Sequence, residues 1–266
     1  MISPSSDAEA SKVVLLTGAS RGIGLATAHH LLQQPASHRL ILLARSECPL
    51  RNLEAQYGSS RIAVIAGDLS TNAPALAAKA IEVARTRFDN RLDGLILNHG
   101  VLAPVARIAE VEIDSWRRAW ETNFFSCVAL VQAALPLLRE SVTGCILLTS
   151  SGAAVGSYTG WGAYGAAKAA VNHLARTLGV EEKGVVTLAI RPGVVDTEMQ
   201  REIRERHHEY MDAKDVEKFR GLKERGGLLR PEQPGHVMAR LVVRPPKELS
   251  GNFVDWNSED LREYQS

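Results

Sequence analysis

Val13 to Gly24, VVLLTGASRGIG, is the stretch from which the fold can be read. Val13 to Leu16 is a short unbroken aliphatic run, the pattern of a strand buried on both faces. It passes directly into Thr17-Gly18-Ala19-Ser20-Arg21-Gly22-Ile23-Gly24 and then into a helical pattern that reaches Gln34. Glycines between a strand and a helix allow a tight bend and let the backbone approach a phosphate, which the helix N-terminus attracts. The spacing here is G-x-x-x-G-x-G. Gly18 to Gly22 also spells G-x-S-x-G, the nucleophile elbow of an α/β-hydrolase with Ser20 as nucleophile. That remote alternative suffers from the position of the motif, because nothing precedes the first strand from which an oxyanion loop could be built.

Working outward, LILLA, IAVIA, LDGLILN, CILLTS, VVTLAI and GNFVDW repeat the pattern, with helical segments between most of them. Such alternation predicts an α/β fold: one doubly wound Rossmann-type sheet of about seven parallel strands with helices on both faces. Residues 12–256 show no linker or composition break and are expected to form one domain, with residues 1–11 as a flexible N-terminal tail and 257–266 as a C-terminal tail without a readable role. At 266 residues with 45% hydrophobic content the chain can bury a sizeable core. A net charge of +1 argues against a polyanion-binding surface, so no nucleic-acid partner is expected. Cys48, Cys127 and Cys145 lack C-x-x-C spacing and are odd in number, which disfavours a disulfide framework or a structural zinc. No uninterrupted apolar run approaches ~18 residues and the N-terminus lacks signal-peptide character, so a cytoplasmic protein without a membrane partner is expected.

Strand ends are where ligands bind in such a sheet. The second strand ends in Ala44-Arg45, with no acidic residue to take a ribose 2′-hydroxyl; Arg45 and Arg21 are instead placed for a 2′-phosphate, which selects NADP(H). The third ends in Asp68-Leu69, a carboxylate for the adenine amine, and the fourth in Asn98-His99-Gly100, beside the adenosine ribose. His99 itself reads as an ordinary loop residue. Asn123 lies within the apolar helix DSWRRAWETNFFSCVALVQAALPLL, where it either caps a kink or holds a water for proton relay.

After the fifth strand comes TSSGAAVGSYTGWGAYGAAK, Thr149 to Lys168. Tyr164 and Lys168 are four apart and share a helix face. An ammonium ~4 Å from the phenol would bring it from its ordinary value near ~10 toward neutrality, making it a usable acid or base. Gly160 to Gly165 spells G-x-G-x-x-G, but ten residues past a strand it reads as a flexible wall of the active site. Residues 198–227 are densely charged with few apolar positions, the usual pattern of a solvated helical face; the adjacent His207 and His208 point apart on a helix, and no metal site is expected.

With these motifs in order, T-G-x-x-x-G-x-G, Asp68-Leu69, Asn98-x-Gly100, Asn123, Ser151, Tyr164-x-x-x-Lys168 and Pro192-Gly193-Val194-Val195-Asp196-Thr197, the chain resembles the short-chain dehydrogenase/reductase family over nearly its whole length. It departs from that pattern at His99, where the family has alanine, and at Gln34-Pro35, where a glycine is common. The resemblance implies hydride transfer between a nicotinamide cofactor and a carbonyl or alcohol, with a ketone or aldehyde reductase expected. It implies that Ser151 polarises the substrate oxygen, that Tyr164 donates the proton, and that Lys168 lowers the phenol pKa and binds the nicotinamide ribose. It assigns Asn123 a relay water, and the backbone of Val195 and the hydroxyl of Thr197, beside Pro192-Gly193, the carboxamide. A homodimer or homotetramer is expected on the same ground and from the small-residue face of the alanine-rich helix after Lys168, and residues 198–227 stand where the family carries its mobile substrate lid, with Gly226-Gly227 as the hinge. The alternative from another class is an NADP(H)-binding regulator of the same fold with little catalysis.

Overall fold

The computed structural model describes residues 10–265; most of the predicted N-terminal tail lies outside them. The seven apolar runs form β1 (Val13–Thr17), β2 (Arg39–Ala44), β3 (Ile62–Ala66), β4 (Gly94–Leu97), β5 (Gly144–Thr149), β6 (Val185–Arg191) and β7 (Phe253–Asp255). They make one sheet in the order β3-β2-β1-β4-β5-β6-β7, every pairing parallel. The helices are α1 (Gly22–Gln33), α2 (Glu47–Tyr57), α3 (Leu69–Arg87), α4 (Ile113–Trp120), α5 (Ser126–Glu140), α6 (Gly162–Glu181), α7 (Glu198–Glu205), α8 (Ala213–Glu224) and α9 (Glu232–Val243).

Alternation along each strand explains why these runs are apolar throughout. Val13 and Leu15 enter the core layer shared with α3, α5 and α6, whereas Val14 and Leu16 enter the layer shared with α1, α2 and α9. With both faces covered, the central strands β1, β4 and β5 are buried at every position. The chain reverses direction between β1 and β4, and the crevice above that switch point is where this architecture takes ligands.

The long apolar helix read from Asp114 onward is present, and the C-terminal stretch differs from its reading. Ile113–Glu140 is one continuous helical rod of 28 residues, long and apolar enough by length and composition to cross a membrane. Its inward stripe, Cys127, Leu130, Val131, Ala134, Leu137 and Leu138, lies in the core against the sheet. The C-terminal stretch, read as a tail, packs: Leu261 and Tyr264 are buried beside α9, and the Tyr264 hydroxyl donates to Arg244 O at 2.9 Å. Two core positions among charged neighbours make too short a pattern to register as a hydrophobic period.

Below the sheet, His38 is fully buried, its Nδ1 accepting from Lys12 N–H at 3.1 Å and its Nε2 without a partner. Burial, reinforced by the Arg61 charge, pushes its pKa down to about 4. An unfolded histidine takes a proton near pH ~6.5, which the folded chain refuses until about pH 4. The contribution to stability is therefore complete above pH ~6.5 and lost as the pH falls toward 4, on the order of 3 kcal/mol. Urea unfolding at pH 7.5 and 4.5 is expected to show that loss, and His38→Asn to shrink it; an unchanged difference in the variant would count against His38 as its source.

Candidate active site

A cavity of about 820 Å³ opens at the carboxyl ends of the strands. One end is built by the β1–α1 turn. An added Cβ at Gly24 would lie 2.3 Å from Gly18 O and 2.9 Å from Gly18 C, so only glycine lets α1 approach the turn this closely. Arg21, at the N-cap of α1, makes no side-chain cap, which leaves the first-turn N–H groups facing the cavity without a protein acceptor. A pyrophosphate fits such a cradle.

Ser20, Arg21, Gly22 and Ile23 line this end, together with Gly18, Arg45, Asp68 and Leu69. Both arginines are exposed there. Glu47, the nearest acid after β2, is held by Arg51 at 2.9 Å. Asp68 caps α3: its Oδ1 accepts from Ser70 N at 2.8 Å, a bond that holds the carboxyl below the usual range. Ser20 has no histidine hydrogen-bond partner among the described residues, so the hydrolase triad is not assembled around it.

The other end brings together Ser151, Tyr164 and Lys168 with Asn98, Gly100, Pro192, Gly193, Val195 and Thr197. Ser150 is turned away, its Oγ donating to Asn172 Oδ1 at 2.5 Å, while Ser151 bonds Tyr164 and also accepts from Ala153 N at 3.1 Å. Lys168 is buried with its Nζ 5.8 Å from the Tyr164 ring centre. It donates to Thr149 O at 2.7 Å rather than to the phenol. The expected lowering of the tyrosine pKa is accordingly absent here. Burial pushes Tyr164 up, offset in part by the Ser151 bond, and burial pushes Lys168 down.

Thr17, Gly24 and Asn123, expected as contact residues, stand behind the wall. Thr17 is fully buried because its hydroxyl receives Asn98 N–H at 3.1 Å and lies 2.6 Å from His99 Nδ1. Asn123 sits in a π-helical turn, Glu121–Phe125, between α4 and α5. Its Oδ1 accepts from Val101 N and its Nδ2 donates to Val101 O, both at 2.9 Å. The side chain sits at a break in the helix, and with both ends of the amide engaged it anchors the β4 exit loop.

His99 is more than a loop residue. Ser126 Oγ donates to Thr122 O at 2.6 Å, so His99 Nε2, 2.7 Å away, is the donor to Ser126, and Nδ1 accepts from Thr17. Locked on both nitrogens, half-buried and beside Lys168, it has a pKa lowered to about 3, by desolvation first and the lysine charge second. It ties β1, the β4 exit and α5 together.

The glycine run beside Tyr164 is a tight wall, not a flexible one: a Cβ at Gly165 would lie 2.8 Å from Ala153 O. Above it, the charged segment 198–227 turns an apolar face inward, and Met199, Ile203, Phe219 and Leu222 line the cavity. Its outer charges pair with each other and with the body, as in Arg201 with Glu198 at 2.5 Å and Asp212 with Arg107 at 3.7 Å. Sequence reasoning missed Trp256 and Asn257, which line the cavity just beyond β7; the strand-end rule, applied to the last strand, would have found them. Two donors on the wall are orphaned, Trp161 Nε1 and Gln200 Nε2, each at a cost of ~1–3 kcal/mol.

A doubly wound parallel sheet, a glycine cradle at its first turn and a serine, tyrosine and lysine at the switch point define a Rossmann-type oxidoreductase. The family described as short chain dehydrogenase matches residues 12–208, and the chain belongs to that family, whose members use nicotinamide cofactors. The benzil reductase ((S)-benzoin forming) IRC24 of Saccharomyces cerevisiae is 39% identical over 259 residues, 94% of this chain and 97% of that protein. An uncharacterized oxidoreductase of Schizosaccharomyces pombe is 42% identical over 251 residues, 94% of this chain and 98% of that one. The crystal structure of a short chain dehydrogenase/reductase of Saccharomyces cerevisiae, YIR035C, is 36% identical, with a TM-score of 0.92 over 96% of this chain and 100% of that one.

Proposed function

We propose that the protein is an NADP(H)-dependent carbonyl reductase that converts an aldehyde or ketone to the alcohol. The observation that carries this reading is the meeting of Ser151, Tyr164 and Lys168 at one end of a cavity whose other end presents Arg21 and Arg45. The benzil reductase relative, whose name gives a carbonyl substrate, supports it.

When bound, the reduced nicotinamide supplies a hydride. Val195 and Thr197 hold its carboxamide, and Gly18 to Ile23 hold its pyrophosphate. The Ser151 hydroxyl orients and polarises the substrate oxygen. The Tyr164 hydroxyl, kept protonated by burial, transfers its proton to that oxygen, and the nearby Lys168 ammonium stabilises the phenolate left behind. The apolar face of α7 and α8 excludes water while this happens.

Arg21 and Arg45 carry the cofactor preference through charge-assisted hydrogen bonds to a 2′-phosphate. Fluorescence titration is expected to show NADPH bound at least ~10-fold more tightly than NADH, with Arg45→Ala removing most of the difference. Tighter binding of NADH would overturn the assignment.

A further inference from the structure

Ser150 stands between Thr149, whose carbonyl takes Lys168, and Ser151, and its own side chain points to neither. It is 2% exposed, and its Oγ donates to Asn172 Oδ1 at 2.5 Å. Asn172 belongs to α6, four residues after Lys168 and eight after Tyr164, so the three side chains follow one stripe of the helix. Each holds a different residue at the end of β5. Tyr164 bonds the Ser151 side chain, Lys168 Nζ donates to Thr149 O at 2.7 Å, and Asn172 takes the Ser150 hydroxyl.

The middle contact governs the other two through the backbone. Pairing of β5 with β6 ends at Thr149, opposite Ile190. Ser150 N–H adds one more bond, to Ile190 O at 2.8 Å, and beyond it the chain leaves the sheet. Thr149 C=O and Ser150 N–H belong to one planar peptide group, so whatever orients Ser150 also aims the carbonyl on which the Lys168 ammonium sits. On its other side Ser150 sets the point from which Ser151 projects, extended at φ −156° and ψ 157°. Ile190 holds Ser150 from the sheet, and Asn172 holds it from the helix. Without the second anchor the residue is free to turn about the first, and a buried hydroxyl is left without its acceptor. Ser150 and Ser151 line the cavity, whereas Asn172 stands behind that wall.

We infer that Asn172 is a positioning residue for hydride transfer: its hydrogen bond to Ser150 fixes the β5 exit, and through it the mutual placement of Ser151, Tyr164 and Lys168. The inference rests on the reductase reading above. A misplacement of ~1 Å can cost ~10²-fold in rate, so a contact that touches neither substrate nor cofactor still sets the speed of the chemical step. Arg21 and Arg45 line the other end of the cavity, so the grip on the cofactor phosphates does not depend on this bond.

The test loads the protein with NADPH and follows a single turnover of 1,2-diphenylethane-1,2-dione, with benzaldehyde as a second carbonyl. Asn172→Leu removes the acceptor and Ser150→Ala removes the donor. Each is expected to slow NADPH oxidation about 10-fold, while the Kd for NADPH from fluorescence titration moves by less than ~3-fold. The double variant is expected to be no slower than either single one, because all three lack the same bond. A wild-type rate in Asn172→Leu or in Ser150→Ala overturns the inference. So does a double variant roughly 100-fold slower than the wild type, since independent effects multiply. Rate and NADPH affinity lost together also overturn it, because a merely structural role moves both. Should Asn172→Leu fail to fold, Ser150→Ala, which leaves no buried donor unpaired, decides by the same criteria. No reduction of either carbonyl by the wild-type protein defeats the reductase reading and this inference with it.

Discussion

Tyr164→Phe is expected to lower kcat for carbonyl reduction by roughly 10²–10⁴-fold while the variant still binds NADPH. The substitution removes one oxygen and leaves the ring, which is 7% exposed and packed edge to face against Trp161, so the wall keeps its shape. What disappears is the proton source. In the proposed mechanism Ser151 remains to orient the carbonyl but has no acid beside it, and the charge that develops on the substrate oxygen must wait for water, which the apolar face of α7 and α8 keeps out. Because burial holds the Tyr164 pKa above its ordinary value, the phenol stays protonated through neutral pH. Reduction, which consumes that proton, is expected to be insensitive to pH between 6 and 8, whereas alcohol oxidation, which needs the phenolate, should rise with pH. Steady-state rates in both directions, with a parallel NADPH titration, check this. A variant of near wild-type activity would show that another group delivers the proton.

Gly24→Ala is expected to cost about 1–3 kcal/mol of stability, the usual penalty of overpacking, and to weaken NADPH binding by more than ~10-fold. The added Cβ would meet Gly18 O at 2.3 Å and Asn98 Nδ2 at 2.6 Å. A Cβ has no rotamer by which to escape, so either α1 lifts off the sheet or the Gly18 turn moves. Each outcome misplaces the N–H groups that cradle the pyrophosphate and loosens Asn98, whose Nδ2 donates to Gly18 O at 3.3 Å. Thermal melts with and without NADPH separate the two effects: a lower Tm without ligand reports the packing cost, and a reduced ligand-induced rise reports the lost cradle. A variant that melts and responds like the wild type would show that the turn tolerates the methyl group.

The seven strands were legible because a sheet covered on both faces demands unbroken apolar runs, and LILLA or IAVIA has no other economical reading. The cavity end that carries Ser151, Tyr164 and Lys168 was legible because Ser151 lies just past the end of β5 and Tyr164 and Lys168 stand four apart on the helix that follows. Interactions set by distant partners were not. That His99 would be clamped between Thr17 and Ser126, residues from β1 and α5, depends on how two elements pack. That Asn123 would give both ends of its amide to Val101 depends on a π-helical turn that no periodicity announces.

Local pattern along the chain thus determined the class of fold, the order of the strands' covering helices and the identity of the groups at the strand ends, because apolar period and turn chemistry are short-range properties. Tertiary structure alone decided what those groups do at rest. Burial and the nearness of Thr149 O turned Lys168 away from the phenol and raised the Tyr164 pKa, where helix spacing had predicted the reverse. Desolvation and hydrogen bonding depend on every neighbour in space, and most of those neighbours are far away in the chain.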